Sequence, residues 1–333
     1  MKTPRTVDIH AHYYPDPYLA LIEREGASFN VRLNRTDPRG PVIEIGPVVR
    51  VGPLRRAFID LDLRRKEMDQ QGVQVHALSL TLPMVYWADG RLGGELAQAT
   101  NDAMVEAHRA FPDRFVGLAT LPMQDPPRAL AELDRVARLP GMRGVYLGTN
   151  IAGRELSDEH FFPVYARVQA LGWPIFLHPL NVIGAARLAP YYLHNLLGNP
   201  FDTAIAAAHL IFGGVLDRFP RLTVCLPHAG GAFPYLVGRL DRGFKKRAEC
   251  KAIKRRPSAY LRRFTYDTIG HAPAALRHLV GLVGADRVML GSDYCFDMGY
   301  ERPVGIVTGL KGPSRADKAK ILGANAARIL RLR

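Results

Sequence analysis

Two histidines separated by one residue, His10 and His12, close the apolar run Val7-Asp8-Ile9-His10-Ala11-His12. Side chains alternate along an extended strand, so both imidazoles share one face. Two imidazoles on one face are half of a divalent-metal site, although the pair alone fits packing or surface roles equally well. Three other stretches end in a similar way. Phe176-Leu177-His178-Pro179 places a histidine after an apolar run, Leu226-Pro227 leads into His228-Ala229-Gly230-Gly231, and Gly291-Ser292-Asp293-Tyr294 supplies a carboxylate. If all four are strands of one parallel sheet, their ends meet on one rim. Nitrogen and oxygen donors converging there would bind a divalent ion. His108, His160, His194, His209 and His278 fall in helical or loop segments and read as surface or packing residues. His76, within a strand, and His271, just past one, are open to a pocket role.

Convergence of this kind needs strands to deliver it. Short apolar or β-branched runs ending in polar, Gly or Pro residues predict eight strands, at residues 5–10, 73–80, 115–121, 144–147, 174–178, 222–226, 264–268 and 287–290. Helical spacing fills the gaps at 93–111, 125–139, 158–171, 203–219 and 273–283. Such alternation means parallel strands joined by crossovers, and eight units close into an α/β (β/α)8 TIM barrel with its site at the C-terminal strand ends. An open doubly wound sheet is the competing arrangement. Against it, no Gly-x-Gly-x-x-Gly follows the first strand, and no phosphate loop occurs anywhere. Residues 13–53, rich in Gly, Pro and Asn, interrupt the rhythm after strand one. They far exceed the ~2–6 residues usual for such a connection, and read as a lid inserted over the barrel mouth of a single domain, 1–333. Residues 314–332 read as a closing helix with Ser314 as its N-cap.

The composition limits what this scaffold is used for. The chain has 333 residues, 47% of them hydrophobic and 23% charged, which excludes disordered, collagenous and disulfide-stapled classes. Cys225, Cys250 and Cys295 lack Cys-x-x-Cys spacing and read as buried thiols in a reducing cytoplasm. No targeting segment is visible at the N-terminus. The longest apolar stretch, 204–216, contains His209 and is shorter than the roughly 18 residues a membrane span requires. A net charge of +14 attracts anions. Much of it sits between Arg239 and Arg263, where eleven Lys or Arg face only Asp241 and Glu249. No nucleic-acid motif or stacking platform accompanies that run, so it reads as a solvated helix and loop, with one arginine available to a small acidic substrate.

The ligand motifs, taken with Glu67-Met68-Asp69-Gln70-Gln71-Gly72-Val73, Arg114-Phe115-Val116-Gly117-Leu118, Thr120-Leu121-Pro122-Met123-Gln124, Phe162-Pro163-Val164-Tyr165 and His228-Ala229-Gly230-Gly231-Ala232-Phe233-Pro234-Tyr235, resemble the amidohydrolase superfamily. The likeness is to its amidohydrolase-2 branch, which contains the aminocarboxymuconate semialdehyde decarboxylases, and it runs over most of the chain. The resemblance implies that His10, His12, His178 and Asp293 bind one divalent ion, usually zinc with manganese as the other option, and that His228 stands beside it as acid/base. Three imidazoles and one carboxylate leave such an ion net positive, which lowers the pKa of a bound water to roughly 7. Strand four ends in Val145-Tyr146-Leu147-Gly148, without the bridging lysine or glutamate of binuclear relatives.

The family resemblance also implies two arginines that hold a carboxylate, one from the lid and one lent by a neighbouring subunit. Arg239 in Val237-Gly238-Arg239 matches the lent one and implies a homodimer. For the lid, Arg50 matches best, with Arg55 and Arg56 also permitted by the spacing. Leu180 stands where the family has tryptophan, and Phe296 follows Cys295 where it has proline. Phe296 is placed to pack on a planar substrate. The reading is a carboxy-lyase removing CO2 from a small unsaturated or aromatic acid. Two rivals remain open: a hydrolase or hydratase on the same barrel, and a nucleic-acid surface on an inactive one.

Overall fold

Seven short parallel strands, Val7–His12, Val75–Ser79, Phe115–Thr120, Met142–Gly148, Pro174–His178, Thr223–Leu226 and Phe264–Tyr266, pair side by side in chain order in the computed structural model, which describes residues 5–46 and 49–332. Nearly every residue in them is buried, as strands enclosed by helices must be. The eighth predicted strand forms no ladder. Residues 288–290 instead follow a 3-10 turn at Ala285–Arg287 and touch both neighbours through isolated bonds. Met289 N donates to Tyr266 O (2.8 Å), Ile9 N to Leu290 O (3.0 Å), and Asp293 N to His10 O (3.0 Å). The sheet is thereby closed into the predicted barrel. Between these bonds Gly291 packs against His10 and Asp267 so closely that a Cβ would lie 2.8 Å from the Asp267 Cβ.

The helices between strands start and stop where short polar residues and glycines dictate. Asp60 caps Leu61–Gln71 by accepting from the amides of Asp62 and Leu63, Asp89 caps Gly90–Ala110, and Asp125 caps Pro126–Val136. Such caps contribute about 1 kcal/mol each. Gly72 ends the first of these helices at φ 74°, a left-handed turn that leads straight into strand two. The helix Gly90–Ala110 turns Leu92, Leu96, Met104 and Val105 onto the sheet. Each such buried side chain stabilises the fold by roughly 1.5–3 kcal/mol. At the far end Ser314 caps Arg315–Ala319, accepting from Asp317 N (3.1 Å) as its position predicts.

The long segment after strand one is ordered rather than irregular. It forms a helix, Asp16–Glu25, then a three-stranded antiparallel meander of Val31–Asn34, Val42–Ile45 and Val49–Val51. Hydroxyl bonds from Tyr14 to Leu82 O and Tyr18 to Met84 O fasten its first part to the loop after strand two. The basic run is the helix Phe233–Lys246 followed by 3-10 turns, with Arg247, Arg256 and Arg262 paired to Glu249, Asp241 and Asp286. No helix is long and apolar enough to cross a membrane among the described residues. Cys225, Cys250 and Cys295 are free thiols.

Candidate metal centre

His10, His12, His178 and Asp293 come together at the C-terminal ends of strands one and five and of the closing segment. Their donor atoms lie within 4.8 Å of one another, and all four residues are buried. His10 and His12 do share one face. Their Nε2 atoms are 3.1 Å apart, and Asp293 Oδ1 lies 3.0 Å from His12 and 3.6 Å from His10. A register shift between Asp8 and Ala11 re-aims this end of the strand. Asp293 itself sits at φ 62°, a left-handed conformation uncommon outside glycine and typical of functional sites.

The outer nitrogens reveal what the inner ones present. His10 Nδ1 meets the Asp267 carboxylate at 2.9 Å and His178 Nδ1 meets the Pro179 carbonyl at 2.9 Å, both acceptors. Each neutral ring therefore carries its proton on Nδ1 and keeps its Nε2 lone pair for an acceptor role, with the Thr81 hydroxyl 3.2 Å from His178 Nε2. Lone pairs converging with a carboxylate oxygen are what a divalent cation satisfies, and bonds of ~2.0–2.2 Å to one ion place donors roughly 3–4 Å apart. The residues present fit a metal ion.

Charge on these groups follows from burial and mutual contact. Burial pushes the His12 imidazole down to about 4, against the pull of Asp293. His178 is held well below its ordinary value by burial and by the neighbouring imidazoles. Burial alone would lower His10 too, but its bond to Asp267 and the nearby carboxylates raise it. Asp293 resists the upward push of burial because His12 and His10 hold its carboxyl well below the usual range.

His228 stands next to the four donors without joining them. Its ring centroid is 5.4 Å from that of His10 and 5.9 Å from that of His178; the side chain is partly exposed and its Nδ1 has no partner among the described residues. Burial, then the charge of His10, lowers its pKa, which favours the neutral form that can take a proton. Its backbone, at φ 53°, is anchored by Asp267, whose Oδ2 accepts from His228 N (3.0 Å) and whose Oδ1 accepts from Ala229 N (2.7 Å).

Asp267 was not among the residues singled out from sequence. It lies one position past strand seven, fully buried, and its partners are up to 257 residues away. Asp8 is a similar case: buried at the start of strand one, pushed up to about 6 by burial, it accepts from His10 N and from the amide and hydroxyl of Ser292. Strand alternation would have pointed to Asp8, two residues before His10, whereas Asp267 follows the short strand Phe264–Tyr266 and its partners are remote in sequence.

Phe296 lies 5.4 Å from His12 and 4.8 Å from Phe58, centroid to centroid, so an aromatic face borders the donors. The arginines are not gathered there within one chain. Arg50 is exposed and paired to Glu44, Arg56 pairs with Asp60, and Arg239 is exposed on its helix. Arg55, paired to Glu67, shares a cavity with Tyr294, Phe296 and Tyr300 and is the lid-proximal arginine facing the Phe296 side. His76 is buried against Arg64 and Tyr294, outside the four-donor cluster, and His271 stacks on Tyr300 at the rim. His108 donates from Nδ1 to Phe115 O and His209 bonds the Ser157 hydroxyl, as packing residues do.

A barrel with three imidazoles and an aspartate at its rim defines the class. The amidohydrolase family model matches residues 7–332, and the chain belongs to that family. Over 330 residues it is 34% identical to 2-amino-3-carboxymuconate-6-semialdehyde decarboxylase of Dictyostelium discoideum, covering 98% of this chain and 91% of the relative. Among solved structures, IDCase of Metarhizium anisopliae, in apo form, superposes with a TM-score of 0.90 at 26% identity, over 100% of this chain and 99% of that one. A dihydroxybenzoic acid decarboxylase of Polaromonas sp. JS666, with bound manganese and the inhibitor 2-nitroresorcinol, gives 0.81 at 25% identity, over 99% and 97%. Its curated relatives are decarboxylases, that is, carboxy-lyases.

Proposed function

We propose that the protein is a metal-dependent, non-oxidative carboxy-lyase that releases CO2 from a small unsaturated or aromatic carboxylic acid, with aminocarboxymuconate semialdehyde the leading candidate. The observation that carries this reading is the buried cluster of His10, His12, His178 and Asp293 with His228 beside it, in a chain whose relatives are decarboxylases. His10, His12, His178 and Asp293 would hold one ion, zinc first and manganese second. Bound there, it supplies Lewis-acid stabilisation of negative charge on substrate oxygens. His228, neutral at rest, first takes a proton from water or from the bound acid and then returns it to the carbon that loses the carboxylate; the C–C bond breaks, its electron pair forms the new C–H bond with that proton, and CO2 leaves.

Phe296 covers one face of a planar acid. A guanidinium fork matches a carboxylate bidentately, and the lid supplies one from Arg50, Arg55 or Arg56. The second is Arg239 of another copy in a homodimer. Support for a second copy is a set of exposed apolar side chains: Tyr235 on the helix of Arg239, Phe201 in the first turn of the helix Asn199–Phe212, and Tyr191, Leu196 and Leu197 in the short turns before it. We place the enzyme in the cytoplasm, where its three free thiols stay reduced.

The test is CO2 release by metal-loaded enzyme from a panel of unsaturated dicarboxylates and hydroxybenzoates, run in parallel in 18O-labelled water. CO2 without label in the organic product is the expected outcome. Label incorporation without CO2 would establish the hydrolase or hydratase alternative in its place.

A further inference from the structure

Decarboxylation consumes a proton. A small carboxylic acid is an anion at neutral pH, so replacing its C–C bond by a C–H bond draws one proton from solvent in every turnover. His228 spends that proton, yet its Nδ1 is buried and has no partner among the described residues. The reaction therefore needs a route from bulk water to His228.

The loop after strand seven brings a further imidazole to that place. Asp267 ties it to the loop of His228, accepting from His228 N (3.0 Å) and Ala229 N (2.7 Å) on one side and from Ile269 N (3.0 Å) on the other. Gly270 then packs so close to Ala229 that a Cβ on it would lie 3.4 Å from the Ala229 Cβ. His271 follows directly and is exposed to solvent. Its backbone sits at φ 52°, its amide donates to the Tyr300 hydroxyl (2.7 Å), and its ring stacks on Tyr300 with centroids 5.1 Å apart. Left-handed backbone outside glycine is uncommon and clusters at working sites. Burial does most to lower the His228 pKa and charge on His271 adds to it, so the two rings feel one another.

We propose that His271 is a proton relay, taking a proton from bulk water and passing it to His228. The inference rests on the carboxy-lyase reading with His228 as the acid. His271 touches neither substrate nor cation; it acts through His228, as a residue that positions the proton. The cycle balances: protonated His271 gives its proton to His228, His228 gives it to the carbon as CO2 leaves, and water or a buffer acid returns one to His271. An imidazole suits the task because it gains and loses protons near neutral pH. Its neighbours do not: burial raises the Tyr300 hydroxyl, and Asp267, which burial pushes up, is pulled down further by its bond to His10.

His271→Asn tests the relay, because asparagine accepts the left-handed backbone but holds no titratable proton. CO2 release from the acid panel by metal-loaded wild type and variant is followed at fixed pH and ionic strength while the concentration of MES, a tertiary-amine buffer, is raised. Wild type is expected to be indifferent to the buffer. At low buffer the variant should show a kcat lower by about tenfold, short of the ~10²–10⁴ that a catalytic acid itself contributes. Its KM, metal content and melting temperature should match wild type, and its kcat should climb back toward wild type as buffer acid rises. Equal kcat in the two proteins, or a deficit that buffer leaves untouched, would overturn the relay. A deficit that comes with lost metal or a lower melting temperature would overturn it too, by making His271 structural. Failure of the carboxy-lyase reading looks different: wild type itself releases CO2 from no acid in the panel, and the relay falls with it.

Discussion

Asp267 joins two tasks in one carboxylate, since the oxygen that accepts from His10 Nδ1 also accepts from the His228 amide. Partners that orient ligand imidazoles in this way set metal affinity. Asp267→Asn is expected to weaken metal binding by roughly 10- to 100-fold in a competition titration with a chromophoric chelator. His228→Ala should behave oppositely: full metal stoichiometry, with turnover reduced by about 100-fold or more. Equal turnover in the two proteins would remove His228 from the chemistry. Much of this site was legible because His10, His12, His178 and Asp293 each end a recognisable apolar run. Arg64 was not. It occurs in Leu61-Asp62-Leu63-Arg64-Arg65-Lys66-Glu67, which reads as a solvated face, yet it is wholly buried and donates to the His12 carbonyl. Its place is fixed by the rings of Tyr13 and Tyr294 beneath it, contacts that no local pattern encodes.

At the scale of elements, strand four and the loop after strand five are joined through the helix Asn199–Phe212. Asp202 in its first turn accepts from the Thr149 hydroxyl, which in turn accepts from Leu180 N (3.2 Å), while Thr149 N donates to His178 O (2.8 Å). Burial raises the Asp202 carboxyl to about 6 from 3.8. The folded protein then holds this proton more tightly than the unfolded chain, so stability falls as pH rises from about 4 through 6. Asp202→Asn removes the effect. Chemical denaturation is expected to show it more stable than wild type at pH 7.5 by up to ~3 kcal/mol, converging near pH 4. A gap independent of pH would contradict this account. Elements themselves were read unevenly from sequence. Seven strands stand out because burial on both faces makes them continuous apolar runs. The meander of 31–51 hides among Gly, Pro and Asn because its strands are only three or four residues long and half exposed.

For the whole molecule, the homodimer proposed above makes a quantitative demand. With Arg239 acting across the interface and His228 within its own chain, an Arg239→Ala dimer and a His228→Ala dimer are each inactive, but a mixed dimer keeps one intact site. Refolded together in equal amounts, the two variants are expected to recover about a quarter of wild-type activity; no recovery would mean that Arg239 acts within its own chain or not at all. The unlatticed closing segment carries a different consequence. It is the barrel's one seam, held by scattered bonds between residues 288–294 and strands one and seven. Asp293 lies on one side of that seam and His10 and His12 on the other, so a cation shared among them would rivet the wall as well as serve the reaction. Stripping it with a chelator should therefore speed amide deuterium uptake at 288–294 more than at the buried strand Phe115–Thr120 on the opposite wall, and make the melting temperature rise with free metal concentration.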